Sequence, residues 1–126
     1  MINRKAFIVG IKSTYLSKKE ILFLKKYKPW GVILFSRNVK GFKQIKKLIK
    51  DIRFIFKDKK YPILIDQEGG RVNRLNKLIE TSILTAEFFG NLYKKHKKKF
   101  YNYYRIYINQ ISYLLNEIGV NIKTNT

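Results

Sequence analysis

The stretch Gly31-Val-Ile-Leu-Phe-Ser36 decides the fold, because it is a continuous apolar run with no alternation of apolar and polar residues. Such a run is typical of a strand that is buried on both faces, as in parallel sheets covered by helices. Ala6–Ile11 is a second short apolar run, and Ile63-Leu-Ile65, which ends in Asp66, is a third. The sequence therefore predicts three buried strands.

Helical patterns separate these strands. Ser17-Lys-Lys-Glu20 has the form of a capping box and predicts the start of a helix of about ten residues. Pro29-Trp-Gly31 breaks that helix. From Phe42 to Ile55, apolar residues recur at three- and four-residue spacing, which predicts an amphipathic helix with lysines on its outer face. Polar connections are expected at 37–41 and 57–61.

The C-terminal third predicts two further helices and another strand. A short helix is expected at 88–93, and a long amphipathic helix runs from Phe100 to Ile118, with Gly119 as its C′ residue. Val120–Ile122 begins a fourth strand. The order β-α-β-α-β-loop-α-β predicts an α/β fold, with a parallel sheet and right-handed crossovers in a single domain spanning 1–126.

The composition excludes several classes of function. The chain has 126 residues, no cysteine and one histidine, which excludes a disulfide scaffold, a thiol nucleophile and a multi-histidine metal site. No apolar run reaches the roughly 18 residues of a membrane span, and no signal peptide is evident. We therefore expect a cytoplasmic protein without a membrane partner.

The formal net charge of +20 has two interpretations. Basic surfaces bind nucleic acid, and the densest block is Lys94–Lys99, with His96 inside it. Lys, Ile, Asn, Tyr and Phe, however, make up 68 of the 126 residues, and their codons are rich in A and T. The lysines are also spread along the whole chain. We do not expect a nucleic-acid partner, although a basic nucleic-acid-binding module remains an alternative.

The motif Asp66-Gln-Glu-Gly-Gly-Arg-Val-Asn-Arg74 follows the third strand directly. Ligand sites of α/β folds lie at the carboxyl ends of the strands, where a carboxylate such as Asp66 can accept hydrogen bonds from sugar hydroxyls. Gly69-Gly70 permits positive φ and a close approach of the backbone. Alternatively, Asp66 caps the loop and Arg71 pairs with Glu68, without binding a ligand.

This motif closely resembles the signature of the family 3 glycoside hydrolases, in particular bacterial β-N-acetylhexosaminidases of cell-wall recycling. Trp30-Gly-Val-Ile-Leu-Phe-Ser-Arg-Asn38 and Asn116-Glu-Ile-Gly-Val-Asn-Ile122 are similar to two further segments of these enzymes. The resemblance runs from about Phe7 to Ile122. It implies a (β/α)8 barrel, of which this chain would form the N-terminal portion, about three and a half βα units.

The resemblance also implies a substrate and a mechanism. Asp66 and Arg74 would bind the terminal N-acetylglucosamine of a muropeptide, in which it is linked β-1,4 to anhydro-N-acetylmuramic acid. Glu68, Gly69, Gly70 and Arg71 would support the loop. Hydrolysis would retain the anomeric configuration, which requires a carboxylate nucleophile and an acid/base group. No metal or cofactor is implied.

The departures from the family concern catalysis. The Lys-His-Phe-Pro-Gly-His-Gly segment, the His-Asp acid/base pair and the nucleophilic aspartate are absent, so no catalytic residue is assigned. A barrel needs about 250 residues. We therefore expect a truncated N-terminal fragment that is inactive alone. A non-catalytic sugar-binding or assembly subunit, with a second chain completing the barrel, is the other alternative.

Overall fold

The computed structural model describes residues 3–67, 70 and 73–124, and it contains a four-stranded parallel sheet with the strand order β1-β2-β3-β4. The strands and the helices alternate along the chain. In order, the elements are β1 (Lys5–Gly10), α1 (Lys18–Tyr27), β2 (Pro29–Leu34), a 3-10 turn (Ser36–Asn38), α2 (Phe42–Phe56), β3 (Ile63–Asp66), α3 (Ala86–Lys95), α4 (Lys97–Ile118) and β4 (Ile122–Thr124). The predicted α/β fold with parallel strands is confirmed.

The register divides the side chains between two faces of the sheet. The face that packs against the helices, here called the helix-side face, consists of Val32, Leu34, Ile63 and Ile65, all fully buried. The opposite or inner face carries the alternate residues of the same strands, since successive side chains point to opposite sides. Its members are Ile8, Gly10, Gly31, Ile33, Leu64, Asp66, Ile122 and Thr124.

The helices form where the apolar spacing predicts them. Ser17 caps α1, with its hydroxyl accepting from the Glu20 amide at 3.1 Å, while the Glu20 carboxylate accepts from the Ser17 amide at 2.9 Å. Helix α2 buries Ile45, Leu48, Ile49 and Ile52 against the sheet. Gly119 ends α4 with a φ of +100°, as its predicted C′ position requires.

Several predicted boundaries are wrong, among them those of β2 and β4. Strand β2 begins at Pro29 rather than at residue 31, because proline is tolerated as the first residue of a strand. It also ends at Leu34, since Ser36 enters the 3-10 turn. Strand β4 begins at Ile122 instead of Val120, because the Val120 amide still donates to the Leu115 carbonyl of α4 at 3.0 Å.

The connection at 57–61 is not uniformly polar. Tyr61 is fully buried, its ring stacks on Phe56 with the centroids 3.9 Å apart, and its hydroxyl donates to the Pro29 carbonyl at 2.8 Å. The Arg4 guanidinium lies over the same ring and pairs with Asp58. Burial raises the pKa of Tyr61, so the phenol stays protonated and keeps donating.

Asn121 attaches the short strand β4 to β3. Its side-chain oxygen accepts from the Ile63 amide at 2.8 Å, and its backbone amide donates to the Ile63 carbonyl at 3.2 Å. The side-chain amide also donates to the Lys60 carbonyl at 3.1 Å. One residue thereby sets the register of the last strand.

Candidate functional site

The carboxyl ends of the strands bring the candidate site together. Asp66 is the last residue of β3, as the sequence predicts, and it is half-buried. The register pairs Leu34 with Ile65 and Asp66 with Thr124. Phe35 therefore follows β2 at the level of Asp66 and on the same inner face.

Two arginine side chains converge on Phe35. The guanidinium carbon of Arg37 lies 4.8 Å from the centroid of its ring, and that of Arg74 lies 5.7 Å from it. Guanidinium groups stack favourably on aromatic rings. Arg74, a predicted binding residue, is thus brought to the ends of β2 and β3.

Arg37 also joins β1 to this cluster. Its Nε donates to the Ile11 carbonyl at 2.9 Å, directly after β1. A Cβ atom on Gly10 would lie 3.1 Å from Nη2 of Arg37 and 3.5 Å from the Phe35 ring. The lack of a side chain at Gly10 therefore leaves the space in which this guanidinium lies.

Asn38 holds the first two loops together. It is fully buried, and its side chain donates to the carbonyls of Ile11 at 2.8 Å and Ser13 at 2.7 Å. Its oxygen accepts from the Phe35 amide at 2.9 Å. Gln44 extends the network by donating to the Thr14 carbonyl at 2.7 Å. These bonds fix the backbone from which Phe35 and Arg37 project.

A second network shapes the loop that carries Arg74. The Gln67 amide donates to the Asn73 side chain at 2.9 Å, and the Gln67 oxygen accepts from the Arg74 amide at 2.9 Å. Asn73 in turn donates to the Ile79 carbonyl at 2.6 Å. Both side chains are buried, so the loop is built around satisfied amides.

Gly70 has the positive φ, +55°, that a glycine pair was expected to permit. The Thr81 hydroxyl donates to its carbonyl at 3.3 Å, and a Cβ atom on Gly70 would lie 3.3 Å from the Cα of Thr85. The other predicted supporting residues, Glu68, Gly69 and Arg71, lie outside the described residues.

Sequence reasoning missed five residues of this site: Phe35, Arg37, Asn38, Gln67 and Asn73. The sequence predicts a polar connection at Asn38 and places Phe35 in the strand itself. The available signal was weak, since a polar residue next to a buried strand is equally compatible with exposure. Only the tertiary contacts show which amides are buried.

The lysine block at 94–99 lies elsewhere, at the junction of α3 and α4, and its residues are exposed. Beside it Phe89 packs on Phe100, Tyr104 and Tyr107, with ring centroids 5.0–6.3 Å apart. These rings join the two helices. None of the helices in the part of the chain that the structure describes is long and apolar enough to span a bilayer.

The fold and the position of the site together indicate the structural class of the protein. Four parallel strands in chain order, with polar residues gathered at their carboxyl ends, correspond to consecutive βα units of a (β/α)8-barrel enzyme.

Comparison with known proteins shows what the chain is similar to. No family model matches the chain. A β-hexosaminidase of Haemophilus ducreyi is 42% identical over 87 residues, which are 69% of this chain and 25% of that protein. The structure of NagZ from Neisseria gonorrhoeae in complex with N-trifluoroacetyl-D-glucosamine is similar at a TM-score of 0.53 and 32% identity, covering 58% of this chain and 21% of that one.

A glycoside hydrolase family 3 β-N-acetylglucosaminidase from a Paenibacillus strain shares the fold, with a TM-score of 0.63 and 21% identity over 93% of this chain and 22% of that one. The chain is a relative of the β-N-acetylhexosaminidases of glycoside hydrolase family 3 and spans about a quarter of their length. The family resemblance and the barrel-type fold predicted from the sequence are confirmed.

Proposed function

We propose that this chain forms the sugar-binding part of a β-N-acetylhexosaminidase that removes terminal β-linked N-acetylglucosamine from muropeptides in the cytoplasm. The observation that carries the proposal is the placement of Asp66 and Arg74 at the carboxyl ends of a parallel sheet related to that of β-hexosaminidases. A related NagZ structure holds N-trifluoroacetyl-D-glucosamine, which is an N-acylated glucosamine of the same type.

In this proposal Asp66 accepts hydrogen bonds from two neighbouring hydroxyls of the sugar, and Arg74 donates to a third polar group. Nε of Arg74 is buried and has no hydrogen-bond acceptor within the described residues, so it has a donor to offer. Gln67 and Asn73 act as positioning residues, because they fix the backbone that carries Arg74. Glu68, Gly69, Gly70 and Arg71 are the remaining residues to which we assign a supporting role.

The experiment is a titration of the 15N-labelled chain with N-acetylglucosamine, followed by NMR. We expect saturable shifts around 66–75, and we expect Asp66→Asn and Arg74→Gln each to weaken binding about 10- to 100-fold, the worth of a hydrogen bond to a charged group. Asp51→Asn is the matched control, because Asp51 pairs with Lys47 on the outer surface of α2. Equal binding by all four proteins would refute the proposed site.

We also propose that this chain binds the sugar without hydrolysing it. Retaining glycosidases need two carboxyl groups about 5–5.5 Å apart. Asp66 is the only carboxylate that the described strands contribute. Incubation with a chromogenic N-acetyl-β-glucosaminide tests this, and release of the chromophore above the rate of an Asp66→Asn control would contradict it.

A second candidate function is assembly, with a second chain completing the barrel. The inner face favours it, because Ile8 in the middle of β1 is 45% exposed. Light scattering coupled to gel filtration tests the idea. A complex whose mass falls to that of one chain in Ile8→Lys, but not in Leu22→Lys on exposed α1, would support it. A monomer at all concentrations would remove it.

A further inference from the structure

Helix α2 and its C-cap residue carry a row of five positive side chains along one flank, here called the cationic stripe. The spacing of three and four residues places them on one side of the helix. They are Lys43, Lys46, Lys50, Arg53 and Lys57. The four lysines are exposed, and none of the five side chains forms an ion pair within the described residues. Like charges at this spacing destabilise a helix, so an anionic partner would relieve a cost.

The stripe borders a groove that also has apolar walls. The groove lies between α2 and the end of α4, and its volume is about 1090 Å³. Ile49 and Ile118 line it and are buried, whereas Phe54, which also lines it, is 82% exposed. The Lys46 ammonium lies 5.2 Å from the centroid of the Phe42 ring, a second aromatic group of the groove. A ligand that fits the groove therefore needs both apolar and acidic groups.

The end of the groove at the C-terminus of α4 is fixed by contacts within the chain. The Arg53 guanidinium donates to the Tyr61 carbonyl through Nε at 3.3 Å and Nη2 at 3.2 Å. A Cβ atom on Gly119 would lie 2.9 Å from Nη1 of Arg53 and 3.0 Å from Ile49, so α4 ends in direct contact with α2. The groove is therefore formed before a ligand binds, which lowers the entropic cost of binding.

Charge and shape together distinguish the anionic partners. A nucleic acid contacts lysines through its phosphates and leaves apolar walls uncovered. A bilayer surface is flat, so it meets the rim of a groove and not its base. A second copy of this chain offers no matching helix, since each of α1 to α4 contains a single acidic residue. An amphipathic helix meets both demands, because its apolar side chains fill the groove while acidic ones face the lysines.

We infer that the groove between α2 and α4 binds an acidic amphipathic helix of a partner protein. At about 1.5 Å per residue, the stripe from Lys43 to Lys57 is about 21 Å long, so the bound helix has about four turns. Phe54 supplies the main apolar contact, and the lysines orient the helix. The inference is independent of sugar binding, because the groove lies on the outer surface of the helices and not at the carboxyl edge of the sheet.

Two synthetic helical peptides of about 16 residues test the inference. The first has leucine at positions that repeat every three and four residues and glutamate beside them, and the second has glutamine in place of each glutamate. Each peptide is titrated into the 15N-labelled chain at physiological salt and followed by NMR. We expect the glutamate peptide to bind about 10-fold or more tightly than the glutamine peptide, with shifts in α2 and at 117–119.

Variants on two helices assign the binding to the groove. Lys50→Glu should weaken binding of the glutamate peptide about 10-fold or more, whereas Lys25→Glu on α1, which changes the net charge equally, should weaken it less than about 2-fold. Phe54→Ser should weaken binding of both peptides about 10-fold. Leu22→Ser removes another exposed apolar side chain, on α1, and should leave both affinities unchanged.

Three outcomes would overturn the inference. Equal affinity for the two peptides would show that the stripe does not select acidic groups. Equal weakening by Lys50→Glu and Lys25→Glu would show that net charge alone explains the binding. A single-stranded oligonucleotide that displaces the glutamate peptide, and that binds Phe54→Ser as tightly as the parent chain, would assign the stripe to nucleic acid instead.

Discussion

The two faces of the sheet differ in what covers them. On the helix-side face, Leu34 and Ile63 are fully buried by helices of this same chain, whereas on the inner face Ile8 is 45% exposed. The helix-side face therefore supplies the stability of the chain, and the inner face carries the candidate site at its carboxyl edge. Alternate residues of the same strands therefore serve different purposes: those on the helix-side face stabilise the fold, and those on the inner face are available for binding.

The strongest test of this comparison replaces one isoleucine on each face with alanine. Ile63→Ala removes a fully buried side chain and should lower the free energy of unfolding by about 2–5 kcal/mol. Ile8→Ala should cost less than about 1 kcal/mol, because the side chain is already partly hydrated. Urea denaturation of both variants measures the contrast, and equal losses would show that the inner face is covered in solution.

The two buried asparagines sharpen the comparison at the site. Asn38→Ala leaves the Phe35 amide and the Ile11 and Ser13 carbonyls short of partners, and it should lower the free energy of global unfolding by about 1–3 kcal/mol.

Asn73→Ala should act locally, because its side chain bonds only to the nearby residues Gln67, Leu75 and Ile79 within the described part of the chain. Hydrogen exchange of the Arg74 and Leu75 amides should accelerate while that of β2 stays unchanged. The idea of a separately stabilised loop fails if both variants accelerate exchange throughout the sheet.

Two glycines extend the comparison to backbone positions. Gly119→Ala combines a φ of +100° with a Cβ atom 3.0 Å from Ile49 on the helix side, and it should cost about 1–2 kcal/mol. At Gly10 on the inner face, the new Cβ atom meets only the flexible ends of Arg37 and Phe35 closely, so a loss below about 0.5 kcal/mol is expected. Thermal denaturation of the two variants measures the difference. A larger loss of stability in Gly10→Ala than in Gly119→Ala would contradict the view that the helix-side face supplies the stability.

A smaller effect depends on pH. Burial raises the pKa of Glu20, but hydrogen bonds from the amides of Lys12 and Ser17 outweigh it, so the pKa is lowered from 4.5. A carboxylate with a lowered folded-state pKa stabilises the protein above its unfolded pKa, and this contribution is lost as pH falls through the folded pKa.

Glu20→Gln should therefore cost less than about 0.5 kcal/mol at pH 7, since solvent screens a partly exposed group. The difference from the parent chain should shrink at an acidic pH below the folded-state pKa. Unfolding free energies at the two pH values test the sign, and a difference that grows on acidification would contradict it.

The outer surfaces of the helices belong to neither face of the sheet. Replacing lysines on these surfaces should have the smallest effect, a slight weakening of non-specific binding to nucleic acid. We expect weak binding to a single-stranded oligonucleotide at low salt, lost at physiological salt. Replacing four lysines of the 94–99 block with glutamine should weaken binding no more than replacing Lys43, Lys46, Lys47 and Lys50 of α2. A markedly larger loss from the first set, measured by fluorescence anisotropy, would favour a nucleic-acid site.

The sequence predicts the elements better than it predicts the polar contacts between them. Apolar spacing in α2 and the capping box of α1 are local signals, and both helices form as expected. The sequence predicts a polar turn at Tyr61, which follows Lys57, Lys59 and Lys60. In the structure its ring instead stacks on Phe56 and its hydroxyl donates to Pro29, so the side chain is buried. Its burial depends on residues far along the chain.

The same limit applies to the candidate site. Asp66 and Arg74 follow from a contiguous motif, and the structure places them at the expected edge. Arg37 lies in a different segment, and its position depends on the Ile11 carbonyl and on the space above Gly10. A linear motif contains neither of these relations.

The attachment of β4 by Asn121 has a consequence for the folding pathway. The contacts between Asn121 and Ile63 close a loop of 58 residues, which must be ordered before they form. Contacts so distant along the chain form slowly, because the entropy of the loop is lost first. The strand beyond them has only three residues, so β4 should be the last element to join the sheet and the first to detach in hydrogen exchange.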